Sequence, residues 1–378
     1  MVIEIKGAEF VNKGSELMIL SIVKEIEKRN IPAKIVMEPT RDYEKKARLG
    51  IYHKISKRKF GIQWGGWMGG TIPRVLRQSY GLIAQKEVTA IFDASGFAYG
   101  DQWGEKNIKD MARYASQCRT QHKKVIILPQ ACGPFEKENV KKYVPKLVAN
   151  VDLFFCRDRE SYNYITSIVG KKTHIHIFPD FTVLLEGTPP PPTLEIEKKI
   201  GIIPNVKMIS ETDKKTAETY KKFLIAVVAY LNKINQPYFL LAHQKKSDTA
   251  FIRELFPTIS SEHIIHHDDP QVIKGIIGNA KGIISSRYHA SISALSSGVP
   301  TLGTSWSHKY EELFRAYNAT EYLLNMKQYT LTQVEASLNM LIHDDKSRAM
   351  QHVLRTQAAV HKKEAKIMWD RVFETIMK

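Results

Sequence analysis

Arg287 and His289 stand two residues apart in ISSRYHASISALSSGVPTLG, residues 284–303. The apolar run before them reads as a buried strand, and the small residues after Tyr288 read as a closely packed helix. The pair therefore sits at a strand end and a helix start. Free N–H groups and the helix dipole favour an anion there. Arginine adds a planar fork that matches phosphate or carboxylate. The dipole also disfavours a protonated imidazole, which moves a histidine toward a useful acid–base range.

Other strand ends carry polar groups as well. In TAIFDASGFAYGDQWG, Asp93 follows a strand directly, and Ser95 and Gly96 permit a tight turn with close ligand approach. Asp93 there could act as a base or orient a substrate hydroxyl. Gln130 lies in the loop of VIILPQACGPF, and Arg157 and Arg159 follow the strand of DLFFCRDRESYNYI. Asn12, Lys13 and Gly14 precede a helix in GAEFVNKGSELMIL, and His308 and Lys309 begin one in SWSHKYEELF. HHDDP, residues 266–270, is a poor metal site, because adjacent strand side chains point apart and no third cluster stands at ligand spacing. No metal is expected. The glycine-rich IQWGGWMGGT, residues 62–71, lacks the Lys-Ser/Thr ending of a phosphate-binding loop. Its Trp64 and Trp67 would suit a lid for sugar stacking or membrane contact.

Positioning these groups requires a parallel sheet. Short apolar runs at 2–5, 33–37, 88–92, 124–128, 152–156 and 173–177 read as strands. Helical patterns at 15–28, 105–121, 136–148 and 159–168 lie between most of them. The proline run of EGTPPPPTLEIEKK reads as an extended linker. The alternation then restarts, with strands at 200–203, 238–242, 263–266, 282–285 and 301–303 and helices at 213–232, 270–278 and 289–297. The expected organisation is a first domain over 1–187, a linker over 188–198 and a second domain over 199–345. A helix over 346–378 would pack back on the first. The fold class is α/β, with two doubly wound parallel-sheet domains facing a cleft. Ligands of such sheets bind outside the carboxyl ends of the strands.

Composition narrows the partners. The chain has 378 residues, long enough for two domains, and 43% are hydrophobic. No apolar run reaches membrane-spanning length, and the first residues read as a strand rather than a signal peptide. The three cysteines show no CxxC spacing and read as reduced thiols of a cytoplasmic protein. A net charge of +17 points to an anionic partner. Residues 41–77 hold ten Lys and Arg against two acidic residues, and read as a solvated basic insertion or a patch near anionic lipid headgroups. Nucleic acid is not expected, since nothing beyond charge points to it.

In chain order, the N-x-G loop at Asn12, the D-x-x-G strand end at Asp93, LPQ…GPF, RD-x-x-S at Arg157 and R-x-H-A…G-V-P…K from Arg287 to Lys309 resemble the polysaccharide pyruvyl transferase family. The resemblance covers roughly residues 5–320. It implies two Rossmann-like domains of glycosyltransferase-B-like type. It also implies phosphoenolpyruvate as co-substrate, no cofactor, and a cyclic pyruvate ketal formed on a sugar hydroxyl pair of a surface glycan or its lipid-linked precursor. In that reading His289 is the general acid, and Asp93 activates or orients the acceptor hydroxyl. Arg157 and Arg287, with Tyr288 and Gly96, bind the donor. Asn12, Lys13, Gly14, Gln130, His308 and Lys309 line the cleft. Two other readings use the same fold. One is a nucleotide-sugar glycosyltransferase whose Glu311 or Glu312 holds a ribose. The other is a non-catalytic scaffold that binds glycan or membrane.

Overall fold

The computed structural model describes residues 1–40, 42–55, 57–59, 62–64 and 72–378. The expected tryptophan lid lies largely outside them. The chain divides into two compact units. The first comprises Met1–Val11, Met18–Phe181 and Glu364–Lys378, and the second Asn12–Leu17 and Thr182–Lys363.

Ten strands belong to the first unit: β1 Val2–Lys6, β2 Lys34–Met37, β3 Tyr52–Ile55, β4 Lys57–Lys59, β5 Ile62–Trp64, β6 Leu82–Ala84, β7 Ala90–Asp93, β8 Lys124–Gln130, β9 Leu153–Cys156 and β10 Ile175–Ile177. Eight form one sheet in the order β10-β9-β8-β7-β1-β2-β3-β6, and β4 and β5 form an antiparallel pair. Every neighbouring pair in the large sheet is parallel; Ile3 of β1, for example, lies between Ile35 of β2 and Ala90 of β7. Helices cover such a sheet, so its strands read as continuous apolar runs and not as alternations. Strand order reverses between β1 and β7, which places Gly7 and Asp93 at the switch point where ligand crevices form.

The second unit contains β11 Ile200–Ile203, β12 Tyr238–Leu241, β13 Ile264–Ile265, β14 Gly282–Ser285, β15 Thr301–Thr304 and β16 Leu323–Leu324. They form a parallel sheet in the order β13-β12-β11-β14-β15-β16. The switch point here lies between β11 and β14. Ile196, in a short 3-10 turn after the proline run, is part of this unit's core with Ile203, Phe239 and Ile283. All strands expected from apolar runs are present, most within a residue or two of their expected ends.

The segment expected as a solvated basic insertion is a correction. It supplies β3 to the large sheet, and three of its cations are internal. Lys54 pairs with Glu4, and both are fully buried. Lys46 donates to the Glu38 carbonyl at 2.8 Å and to Thr40 Oγ1. Arg77 pairs with Glu87 and donates to the Ile72 carbonyl at 3.0 Å. Charge density suggested solvation, but each cation has an acceptor folded over it. The helix expected over 136–148 is also interrupted. It forms Glu138–Lys141 and Val144–Val148, with Pro145 in the first turn of the second piece. Proline lacks the N–H needed in a helix interior but is tolerated at a helix start.

The last helix, Asp344–Met377, brings Trp369 into the first unit's core. Its indole packs edge-on against Phe181 at 5.5 Å and near Phe92 at 6.2 Å. Arg29 ties the same helix through Asp370 at 2.6 Å. Among the described residues no helix is long and apolar enough to cross a membrane.

The buried Glu4–Lys54 pair, to which Tyr114 also donates a hydrogen bond, makes a stability prediction. Lys54→Met leaves the buried Glu4 carboxylate to the more distant Lys6, at 3.6 Å, and is expected to cost about 3 kcal/mol, whereas Glu4→Gln/Lys54→Met recovers most of the loss. Urea unfolding of the two variants checks both.

Candidate active site

The second unit's switch point is built around Ser286, which follows β14. Its hydroxyl meets Tyr220 Oη at 2.7 Å and accepts from Thr304 Oγ1 at 2.8 Å. Its carbonyl accepts from Asn205 Nδ2 at 2.9 Å and from Tyr310 Oη at 3.0 Å. Groups following β11, β14 and β15 are thus locked together in a buried network. Burial pushes the Tyr220 phenol up to about 12, so it stays protonated.

Arg287 follows immediately, in extended backbone at the N-cap of the helix Tyr288–Ser296. Its Nε donates to the Pro204 carbonyl at 3.2 Å, across the gap between β11 and β14. Its Nη2 pairs with Asp248, which is fully buried and also accepts the Gln244 N–H at 2.8 Å. Burial pushes the Asp248 carboxyl up, against the opposing pull of Arg287. The helix that Arg287 opens packs through Ala290 and Ala294 into the core, so its first N–H groups are held at the sheet mouth.

His289 lies in the first turn of that helix. Its imidazole fits only because residue 14 is glycine: a Cβ there would come within 2.3 Å of Nδ1. Asn12 shapes this contact, since its side-chain oxygen accepts the Gly14 N–H at 2.9 Å. Lys13 pairs with Glu16 at 3.0 Å and donates to the Asp268 carbonyl. Tyr288 stands edge-on to His289 at 5.6 Å and to Tyr310 at 5.6 Å. Lys309 Nζ lies 4.5 Å from the Trp306 ring centre and 5.4 Å from that of Tyr288. His308, at the N-cap of the helix Lys309–Ala316, adjoins this group in sequence. The structure therefore brings Asn12, Lys13, Gly14, Arg287, Tyr288, His289 and Lys309 into one neighbourhood.

His243 and Asp248 belong to the same neighbourhood and do not stand out in the sequence. His243 follows β12, is buried, and its Nδ1 has no hydrogen-bond partner among the described residues. Burial lowers its pKa well below 6.5, and the charges of Arg287, His289 and Lys13 push the same way. It is a neutral imidazole beside the Arg287 and Lys13 cations and the His289 ring. The signal was a strand end, LLAHQKKSD, whose histidine and aspartate flank two lysines.

The first unit holds a second polar cluster, at its own switch point. Asp93 ends β7 and is fully buried. One carboxylate oxygen accepts from the Ser95 N–H at 3.1 Å and from the Ser95 hydroxyl. The other accepts from Tyr99 Oη and from Gln130 Nε2 at 3.4 Å. Burial, with the Asp93 charge adding, raises the Tyr99 phenol well above its usual value. These donors occupy the four lone-pair positions of a carboxylate. Asp93, expected to activate or orient a hydroxyl, holds the turn of Ser95 and Gly96 in this geometry. Gly96 takes a φ of +71°, in the left-handed region that favours glycine. Gly7 approaches so closely that a Cβ there would meet Ser95 Oγ at 1.9 Å.

Arg157, after β9, donates its backbone N–H to the Gln130 carbonyl at 3.0 Å. Its guanidinium is ion-paired with Asp180 at 3.0 Å, and both side chains are nearly fully buried. Asp158 caps the following helix, its carboxylate accepting the Ser161 N–H at 2.7 Å. Among the described residues no three His, Cys, Asp or Glu are grouped to hold a metal ion.

Solved structures show where this fold recurs. Anabaena HepE in complex with UDP-glucose is 11% identical, with 100% of this chain and 99% of that one covered at a TM-score of 0.60. The UDP-GlcNAc 2-epimerase of Neisseria meningitidis, bound to UDP-GlcNAc, is 10% identical over 99% and 100% of the two chains, with a TM-score of 0.61. A glycosyltransferase of Rickettsia africae is 12% identical over 100% and 98%, at 0.59. At such identities the likeness is one of fold: two Rossmann-like parallel-sheet domains of glycosyltransferase-B-like type. No curated protein sequence matches the chain. The sequence profile of polysaccharide pyruvyl transferases matches residues 12–308, a span that contains Asp93, Arg157, Arg287 and His289. The chain belongs to the polysaccharide pyruvyl transferase family.

Proposed function

We propose that the chain transfers the enolpyruvyl group of phosphoenolpyruvate to two hydroxyls of a sugar in a surface polysaccharide or its precursor, forming a cyclic ketal. The observation that carries this reading is the cationic cluster at the second sheet's switch point. There Arg287 is held by Asp248, His289 packs against Gly14, and a helix N-terminus faces the same place. The donor carries a phosphate and a carboxylate close together. A fixed guanidinium and a helix N-terminus suit both. Arg157 is held by Asp180 in the first unit as Arg287 is held by Asp248 in the second.

In the proposed reaction His289 protonates the methylene carbon of the donor, leaving positive charge at the carbon that bears the phosphate oxygen. One sugar hydroxyl bonds to that carbon and gives up its proton. The second hydroxyl then displaces phosphate, which leaves with a proton. Atoms balance without oxidation or reduction, so the chemistry calls for no cofactor beyond the co-substrate. Asp93 acts as a positioning residue through the Ser95–Gly96 turn. The nucleotide-sugar reading assigned Glu311 or Glu312 to a ribose, and Glu312 is ion-paired with Arg315.

The deciding experiment is phosphate release from phosphoenolpyruvate with galactosyl, glucosyl and N-acetylmannosaminyl acceptors. Acceptor-dependent release that disappears in Arg287→Ala supports the proposal. Absence of both release and donor binding by calorimetry, with a melting shift by UDP-glucose, would replace it with the nucleotide-sugar reading. His289→Ala is expected to lower kcat by about 100-fold or more with the fold intact, and near-normal turnover would remove it from the mechanism. Asp248→Asn frees the guanidinium and is expected to raise KM for phosphoenolpyruvate by about tenfold, a loss of about 1.4 kcal/mol.

His243 makes a prediction about pH. Its folded-state pKa is depressed, so the unfolded chain binds the extra proton first and stability falls as pH drops below about 6.5. Melting temperature between pH 7 and pH 5 is expected to fall more steeply for the wild type than for His243→Gln, as scanning fluorimetry would show.

A further inference from the structure

The helix Arg74–Ser79 is turned inside out. Its Arg77 is buried, while Val75 is 80% exposed and Leu76 51%. Ile72 just before it is 43% exposed, and Tyr80 just after it 69%. An ordinary surface helix buries its apolar residues and solvates its arginine. Here Glu87 enforces the reverse. It pairs with Arg77, accepts from Gln78 Nε2 at 3.3 Å and from the Ala84 N–H at 2.8 Å, and meets Arg74 Nε at 3.1 Å. The polar face of the helix is thereby consumed inside the first unit. Four large apolar side chains within nine residues are left facing out, a clustering that marks an interaction site.

The sequence around them shows what that site meets. From Lys45 to Lys86 there are ten Lys and Arg, of which Lys46, Lys54 and Arg77 are internal, and no Asp or Glu. A protein partner or second copy would require no such exclusion of acidic residues over 42 positions. An anionic lipid surface would: each Lys or Arg near it adds attraction, and each carboxylate would be repelled. Apolar side chains entering the headgroup boundary beside cations are the hallmark of interfacial binding. We propose that Ile72, Val75, Leu76 and Tyr80 form a membrane-docking face that seats the protein on an anionic bilayer. The proposal is independent of the pyruvyl transfer reaction.

Vesicle flotation tests it, using phosphatidylcholine with about one-quarter phosphatidylglycerol against phosphatidylcholine alone. The wild type is expected to float with the anionic vesicles and to be released by high salt. Val75→Ser/Leu76→Ser/Tyr80→Ser is expected to lower the partition coefficient about tenfold or more without changing the melting temperature. Val75→Glu, at the most exposed position, is the second variant and should do the same if the triple variant folds poorly. A wild type that stays in buffer, or variants that float as well as it does, would overturn the proposal. So would a dimer in sedimentation that the triple variant dissolves while vesicle binding is absent.

Discussion

The candidate site depends on one ion pair. Arg287 lies at the mouth of a parallel sheet, where an unsupported guanidinium would swing among many rotamers. Asp248, with no exposure to water, holds it from one side, and the Pro204 carbonyl holds it from across the gap between β11 and β14. Burying two charges is costly unless they are paired and their other donors and acceptors are satisfied. The Gln244 N–H satisfies Asp248 from the opposite side. What this arrangement produces is a guanidinium whose direction is fixed, so that an anion binding there would carry a smaller ordering cost. The Ser286 network does the same for the backbone, so that Arg287, Tyr288 and His289 leave the strand at a fixed angle.

The first unit uses buried charge for a different purpose. Asp93 gathers Ser95, Tyr99 and Gln130 around one carboxylate and so freezes the turn that brings Gly96 and Gly7 together. Glu4, in the middle of the central strand, is compensated by Lys54 and Tyr114. Asp93 is saturated by four donors, and Glu4 is further compensated by Lys6 at 3.6 Å. A saturated carboxylate makes a rigid post, whereas a proton-transfer group needs an open lone pair.

Much of this was legible from residue order. The apolar runs marked the strands because a doubly covered parallel sheet leaves no polar face to blur the pattern. Arg287 and His289 were visible because they interrupt such a run at the point where small residues begin. Lys54 was hidden because a lone lysine in a basic segment looks solvated, and its partner Glu4 lies fifty positions away in sequence. The role of Asp93 was hidden for a similar reason: its saturation depends on Tyr99 and Gln130, which only the fold delivers to it. His243 escaped notice because a single histidine after a strand has no local pattern to distinguish it.

The positive charge of the chain therefore has no single meaning. Some of it, as at Lys46, Lys54 and Arg77, is spent on internal acceptors and is invisible from outside. Some of it, as at Lys13, Arg287 and Lys309, is concentrated at the second unit's switch point. The pairing of Arg77 with Glu87 links the internal share to the surface. By drawing the guanidinium inward, it turns Val75 and Leu76 outward within a stretch that carries no carboxylate of its own. An interior electrostatic contact thereby determines which apolar side chains face the surroundings, and net charge alone could not have shown it.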